Sequence, residues 1–163
     1  MRTIALRVAC LGLIVVGSGL IEASAKATGG HHGQDQSCSN ATLNGAYVFS
    51  AVGSSVTTAA DGTTVTPIAV AGLEHYYGDG TFSGVVTVSD GGTIVPKASY
   101  SGTYTVNSDC SGTERIPAQG GNPAQTFDVF VKPSGNAFRF IETDTGIVLS
   151  GTESRGGGRS SDE

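Results

Sequence analysis

The residues of this chain that could do chemistry are a few polar side chains set within strand-like segments of small and apolar residues. Carboxylates and histidine act as acids and bases, tyrosine hydroxyls orient ligands or transfer protons, and arginine pairs with carboxylates. A ligand-binding site is therefore predicted from six residues, namely Glu74, His75, Tyr100, Tyr104, Arg115 and Glu142.

Glu74 and His75 are neighbours in the run Leu-Glu-His-Tyr-Tyr. Successive side chains of a strand point to opposite faces, so only one of the two residues faces the interior. Glu74 is inside if the face that carries Val70 and Tyr76 is the inner one, and His75 is inside in the opposite case. The sequence leaves this choice open.

Arg115 and Glu142 are the other charged candidates. Glu142 shares a strand face with Phe138 and Phe140, which we expect to face the core. A carboxylate inside a barrel needs a partner, because burying an unpaired charge is costly. Arg115 is therefore expected to pair with Glu142 or Glu74.

A purely structural role is the alternative for each candidate. The charged residues would then lie near strand ends and reach water, while Tyr100 and Tyr104 would fill the core with their hydroxyls hydrogen-bonded. The chain lacks G-x-S-x-G, H-E-x-x-H, P-loop and paired C-x-x-C motifs. No catalytic residue, cofactor or metal site is therefore predicted.

Residues 1–25 have the organisation of an export signal. Arg2 and Arg7 form a basic region, residues 8–21 are mainly apolar, and Ala23-Ser24-Ala25 is a cleavage site of the A-x-A kind. We therefore expect the mature protein to be secreted or periplasmic.

The charge of the chain excludes some classes of partner. The formal net charge is −5, and removal of the signal takes away two arginines and one glutamate, so the mature chain is more acidic still. An acidic chain without a basic stripe is not expected to bind nucleic acid. No mature segment approaches the roughly 18 apolar residues of a membrane-spanning helix, so stable membrane insertion is not expected either. The oligomeric state is left open.

Two cysteines, Cys38 and Cys110, remain once Cys10 leaves with the signal. In an exported protein an even pair predicts one disulfide. It would close a loop of about 70 residues and stabilise the fold by roughly 4 kcal/mol if chain entropy dominates.

Short β-branched and aromatic runs, separated by glycine, aspartate and asparagine, follow one another from residue 43 onward. They predict one all-β domain over residues 38–155, between a flexible arm at 26–37 and a disordered tail at 156–163. Short connections favour an antiparallel up-and-down β-barrel over a two-sheet sandwich. The eight predicted strands are 43–53, 67–77, 81–89, 97–107, 112–118, 125–132, 136–143 and 147–154.

The strand order places both cysteines at the same end of such a barrel. Cys38 precedes the first strand and Cys110 follows the fourth, and alternate connections of an up-and-down barrel lie at one end, as a disulfide requires. The connections at this end are short. The opposite end carries the longer predicted loops, 54–66, 90–96 and 119–124, and we expect the mouth of the barrel there.

Four motifs occur together in this chain. They are C-S-N-A-T-L-N-G-A-Y-V-F at 38–49, G-D-G-T-F-S-G at 78–84, G-T-Y-T-V-N-S-D-C-S-G-T at 102–113 and F-I-E-T-D-T-G-I-V-L-S-G at 140–151. With these motifs the chain resembles a group of small secreted bacterial proteins of unassigned function. The group is similar in form to calycin-like barrels and to the allene oxide cyclase barrel. The resemblance implies the architecture alone, because no cyclase catalytic residue can be placed on this sequence.

Three functions are compatible with these observations. The leading hypothesis is a barrel that binds a small, partly apolar molecule, since a barrel of about eight strands has room for side chains or for one small ligand. The second is a barrel isomerase or cyclase that uses Glu74 or His75, with tyrosine hydroxyls, as acid and base. The third is a structural or surface-interaction protein whose interior is filled.

Overall fold

Eight antiparallel strands form a closed barrel in the computed structural model, which describes residues 37–156. Each strand pairs with the next one along the chain, and the last strand pairs with the first from Tyr47↔Arg155 to Ser55↔Ile147. The predicted all-β, up-and-down barrel is confirmed. Its strands are β1 (Asn44–Ala59), β2 (Gly62–Tyr77), β3 (Thr81–Asp90), β4 (Thr93–Val106), β5 (Ser111–Ile116), β6 (Gln125–Val131), β7 (Ala137–Glu142) and β8 (Ile147–Arg155).

A short 3-10 turn at Asn40–Thr42 precedes β1. The predicted export signal at 1–25, the arm up to residue 36 and the tail from residue 157 lie outside the described residues. Within residues 37–156, no helix is long and apolar enough to cross a membrane.

The strands form because apolar and polar side chains alternate along them. In β1, Tyr47, Phe49 and Ala51 are buried, whereas Val48 and Ser50 between them are exposed. This period of two gives each strand an inner and an outer face. Closure of the sheet then places the inner faces around one interior. The upper part of β4 extends beyond β5, because the two strands pair only from Thr103 to Val106.

The predictions of long loops at 54–66 and 90–96 are wrong, because both segments belong to β-hairpins. Residues 54–59 of β1 pair with residues 62–67 of β2, and β3 is joined to β4 by a tight turn at Gly91-Gly92. Threonine and valine favour extended backbone, and the two glycines supply positive φ angles of 55° and 89°. The third connection, between Ile116 and Gln125, remains irregular.

The disulfide closes the opposite end, which we call the lower end. Cys38 and Cys110 have Cα atoms 5.0 Å apart and are separated by 72 positions in the chain. The Cys38 N–H also donates to the Ser108 carbonyl at 3.2 Å. The predicted pairing and its position at one end of the barrel are confirmed.

An aromatic cluster fills the interior just above the disulfide. Tyr76, which has no exposed surface, lies at its centre. Its ring centroid is 5.3 Å from those of Tyr47 and Phe82, 5.1 Å from that of Tyr104 and 5.7 Å from that of Phe138. Three of these pairs have the edge-to-face geometry that aromatic rings prefer, and the Tyr76–Phe82 pair is stacked. These five residues are called the aromatic floor.

The disulfide at the lower end leads to a prediction about stability. A Cys38→Ala/Cys110→Ala double variant should lose about 2–5 kcal/mol of unfolding free energy, because the closed loop no longer restricts the unfolded chain. Denaturant unfolding of the mature chain measures this loss. The reduced wild-type protein should match the variant, and equal stability of the oxidised and double-variant proteins would refute the assignment.

Candidate functional site

Three glutamates from distant parts of the chain meet inside the barrel above the aromatic floor. Glu74 of β2, Glu114 of β5 and Glu153 of β8 expose only 7%, 6% and 2% of their surface. The Tyr76 hydroxyl lies 2.7 Å from Glu74 Oε2 and 3.1 Å from Glu114 Oε2, so it bridges two carboxyl groups across the interior. Together with Tyr100, these residues are called the carboxyl layer.

Tyr100 reaches the layer from β4 because a glycine lies in its path. Glu74, Gly84 and Tyr100 are consecutive partners across β2, β3 and β4. The Tyr100 ring lies over Gly84, where a Cβ atom would be 2.7 Å from the ring carbon Cζ. Its hydroxyl thereby extends past β3 and donates to Glu74 Oε1.

The same pairing of an inward aromatic ring with a glycine directly opposite recurs around the barrel. A side chain on the glycine would collide with the ring in each case, so these positions let large rings lie flat against the sheet. The further pairs are Phe49 with Gly72, Phe82 with Gly102, and Phe140 with Gly151.

The carboxyl layer contains no basic partner among the described residues. Every lysine, arginine and histidine in residues 37–156 is exposed on the outside or at an end of the barrel. Burial, followed by the negative charge of Glu74, raises the pKa of Glu114 well above its ordinary value. The pKa of Glu153 is raised for the same two reasons in the same order. Both groups therefore retain a proton at a pH where an exposed glutamate is ionised.

The tyrosines of the layer remain neutral hydrogen-bond donors. Burial raises the pKa of Tyr76 well above its usual value, and the nearby charges of Glu114 and Glu74 raise it further. Burial and Glu74 likewise raise the pKa of Tyr100 far beyond the physiological range. A phenolate is therefore not formed here at neutral pH, and the phenols can only donate to the carboxyl oxygens.

Hydrogen-bond donors are scarce in this layer. The three carboxyl groups have six oxygens, whereas the hydrogens come only from the two phenols and from the protonated Glu114 and Glu153. The single Tyr76 hydrogen faces oxygens of both Glu74 and Glu114. Glu153 Oε1 is buried and has no hydrogen-bond partner among the described residues. The layer therefore accepts further donors.

An apolar ring surrounds the interior above the carboxyl layer, toward the upper end. Along β2, Ile68 and Val70 precede Glu74 on the inner face, and along β5, Ile116 follows Glu114. We use the name apolar ring for Ala51, Ile68, Val70, Ile116, Phe127 and Leu149.

Glu142 lies inside the barrel near its upper end and is separate from the carboxyl layer. It shares its inner face with Phe138 and Phe140, as predicted. Gln125 Nε2 lies 3.5 Å from its Oε1 atom, and burial raises the pKa of the carboxyl group. Glu142 therefore faces the mouth.

Three other predicted site residues lie elsewhere. His75 is exposed on the outer face, with its ring centroid 4.9 Å from that of Tyr77. Arg115 is also exposed, so the expected ion pair with Glu142 or Glu74 is wrong. Tyr104 belongs to the aromatic floor, and its hydroxyl lies 2.9 Å from the carbonyl oxygens of Asn40 and Leu43.

Sequence reasoning missed Glu114 and Glu153, although a signal for each was present. Ile116 is the only large apolar side chain of β5 and shares its face with Glu114, which marks that face as the inner one. Glu153 likewise alternates in step with buried Leu149 of β8. Arg115 was expected inside the barrel because it could pair with a buried carboxylate. In the structure, protonation of Glu114 and Glu153 reduces the buried charge instead.

Comparisons with protein-family models, with curated proteins and with solved structures gave no match. The function is therefore inferred from the residues of the site.

The raised carboxyl pKa values predict that stability falls as pH rises. Below the ordinary glutamate pKa, about 4.3, the folded and unfolded states both carry the protons. Above it, the unfolded state releases protons that Glu114 and Glu153 still hold, so the free energy of unfolding falls until the folded pKa is reached. Urea unfolding at several pH values above about 4.5 measures this slope.

Glu114→Gln should flatten this slope by at most about 1.4 kcal/mol per pH unit, because one group no longer titrates. Asp128→Asn, on the exposed face of β6, is the matched control and should leave the slope unchanged. Stability that rises with pH in this window, or an unchanged slope in Glu114→Gln, would contradict the assignment.

Gly84→Ala should disturb the layer because the new methyl group collides with the Tyr100 ring. We expect a loss of about 1–3 kcal/mol of unfolding free energy, typical of overpacking. Ser99→Ala, on the exposed face of β4, is the control and should have little effect. Full stability of Gly84→Ala would show that the ring does not need this space.

Proposed function

We propose that this protein is an exported, disulfide-bonded β-barrel that binds one small, partly apolar molecule inside its upper half. The observation that carries the proposal is the carboxyl layer beneath the apolar ring. A ligand site of this kind combines apolar walls with a few convergent polar groups. Here the walls come from the apolar ring and the polar groups from Glu74, Glu114, Glu153 and Tyr100.

The exposure of the inner residues favours an open chamber above the layer. Ile68 and Val70 of β2 and Val86 and Val88 of β3 lie on inner faces, yet they are only half-buried. The inner residues of the aromatic floor are fully enclosed by comparison. We infer that solvent, and by the same path a ligand, reaches the interior from the upper end, where β4 extends beyond its pairing with β5.

The lower end is closed to a ligand. The Tyr47 hydroxyl donates to the Gly135 carbonyl, and the Arg155 guanidinium lies over the Tyr47 ring at 5.1 Å from its centroid. The disulfide and the aromatic floor fill the space between these groups and the layer. The chamber is therefore proposed to have one entrance, at the upper end.

A barrel isomerase or cyclase is the second candidate function, and one observation favours it. A protonated carboxyl group beside an apolar chamber is a suitable general acid, and burial raises the pKa values of both Glu114 and Glu153. His75 cannot take part because it lies outside. Any ligand that is identified should be incubated with the wild type and with Glu114→Gln, and turnover lost in the variant would assign catalysis.

The binding proposal predicts uptake of a neutral apolar fluorophore. N-phenyl-1-naphthylamine should bind the folded mature chain saturably, with increased emission. Val70→Phe, which places a larger ring in the chamber, should weaken binding at least about ten-fold, a change of roughly 1.4 kcal/mol. Fluorescence titration measures both effects.

Ala71→Phe is the matched control, since the adjacent Ala71 side chain is exposed on the outer face. It should bind the fluorophore as the wild type does. No binding to the wild type, or equal weakening in both variants, would favour a filled barrel with a structural or surface role.

A further inference from the structure

We propose that the ligand carries a cationic, hydrogen-donating head group, such as a primary ammonium, which docks on the carboxyl layer while its apolar body occupies the apolar ring. This inference rests on the proposed function and specifies the chemical class of its ligand. It is argued from the charge, the hydrogen-bond donors and the burial of the layer.

The charge of the layer favours a cation. Glu74 and Glu114 are linked by the Tyr76 hydroxyl, and both lie close enough to Glu153 to raise its pKa. Glu142 is buried in the same interior nearer the mouth. The basic side chains of residues 37–156 are all exposed, so none lies among these carboxyl groups. A cation that displaces protons from this site is held by the carboxylate charge that results, and a low-dielectric interior strengthens that attraction, whereas an anion would be repelled.

The carboxyl layer has fewer hydrogen-bond donors than acceptor oxygens. Glu153 is 2% exposed, yet its Oε1 atom has no hydrogen-bond partner among the described residues. The Tyr76 hydroxyl has one hydrogen for two carboxyl groups. A primary ammonium carries three N–H donors and no acceptor. It would therefore supply both the hydrogen bonds and the charge that the layer lacks, and charge-assisted bonds of this kind are the stronger ones.

The groups above and below the carboxyl layer favour a ligand that also has an apolar part. The layer is closed below by the aromatic floor and bordered above by the apolar ring. A fully polar cation would leave the ring unfilled, whereas a cation with a short apolar body satisfies both levels. A bare metal ion therefore fits the site less well than an amphiphilic cation. In addition, no group of side chains in residues 37–156 has the arrangement of a metal site.

Binding of a cation should displace protons from the layer. The titratable groups that face the bound head group are Glu74 and Tyr76 from β2, Tyr100 from β4, Glu114 from β5 and Glu153 from β8. Glu142 lies farther toward the mouth. The phenols keep their protons, so the protons that leave come from the carboxyl groups, and the preference for a cation should increase as pH rises from 5 to 8.

The test compares three probes of equal length on the mature, disulfide-bonded chain, namely n-hexylammonium, 1-hexanol and hexanoate. Isothermal titration calorimetry at pH 7 should show the ammonium binding at least about ten-fold more tightly than the alcohol, with hexanoate weakest. Glu153→Gln should weaken ammonium binding roughly ten- to hundred-fold, the effect of losing a hydrogen bond to a charged group. Hexanol binding should weaken much less than hexylammonium binding in this variant, because hexanol carries no charge.

Asp128→Asn removes a carboxylate from the outer face and serves as the charge-matched control, with no expected change for any probe. Glu114→Gln provides a second variant of the layer if Glu153→Gln fails to fold, as judged by circular dichroism. Equal binding of hexanol and hexylammonium would overturn the cationic head group but leave the binding function in place.

Tighter binding of hexanoate, or an ammonium preference that shrinks between pH 5 and 8, would likewise overturn this inference alone. An ammonium preference that survives in both layer variants would place the cation elsewhere and overturn the assigned site. If none of the three probes binds, the proposed function fails together with the inference.

Discussion

The structure depends on how the barrel tolerates three carboxyl groups that lie together in one layer of its interior. Removing a charged carboxylate from water is costly, and the usual compensation is a basic partner. Here no basic residue of positions 37–156 enters the layer, and the compensation is protonation of Glu114 and Glu153 together with hydrogen bonds from two phenols. The Tyr76 hydroxyl joins β2 to β5, and Tyr100 joins β4 to β2, so the layer also ties opposite walls of the barrel together.

The aromatic floor and the disulfide, which lie below the carboxyl layer, stabilise the fold and offset the free-energy cost of burying these groups. Tyr76 is both the main donor of the layer and the centre of the aromatic floor, with four aromatic neighbours. The disulfide fixes the chain beneath that floor. Stabilising contacts are therefore concentrated at the lower end, while half-buried residues such as Val70 and Val88 line the upper half. This separation is consistent with the proposed binding site in the upper half.

The sequence predicted the strands, the disulfide and the closed barrel because alternation, turn residues and cysteine positions are local signals that agree with one another. It failed at the hairpin tips, since threonine-rich segments such as 57–64 look like polar loops until a partner strand is known. The site was predicted only partly. Glu74, Tyr100 and Glu142 do face the interior, but Arg115 lies outside, and Glu114 was missed because a short strand gives little alternation to read.

The physical reason for that failure is general. A sequence shows which groups are charged at neutral pH in water, whereas burial decides which of them keep a charge. The interior of this barrel contains acids that hold their protons, and protonation leaves no mark on the sequence. Only the geometry that brings β2, β5 and β8 together reveals that the three glutamates share one environment.

The most direct test of this account is an NMR titration of the glutamate side-chain carboxyl carbons in the folded mature chain, assigned with Glu114→Gln and Glu153→Gln. The account predicts that the Glu114 and Glu153 signals titrate well above the ordinary value of about 4.3, and that a bound ammonium shifts both titrations to lower pH. Ordinary titration of both groups would contradict a buried carboxyl layer and, with it, the site proposed for the ligand.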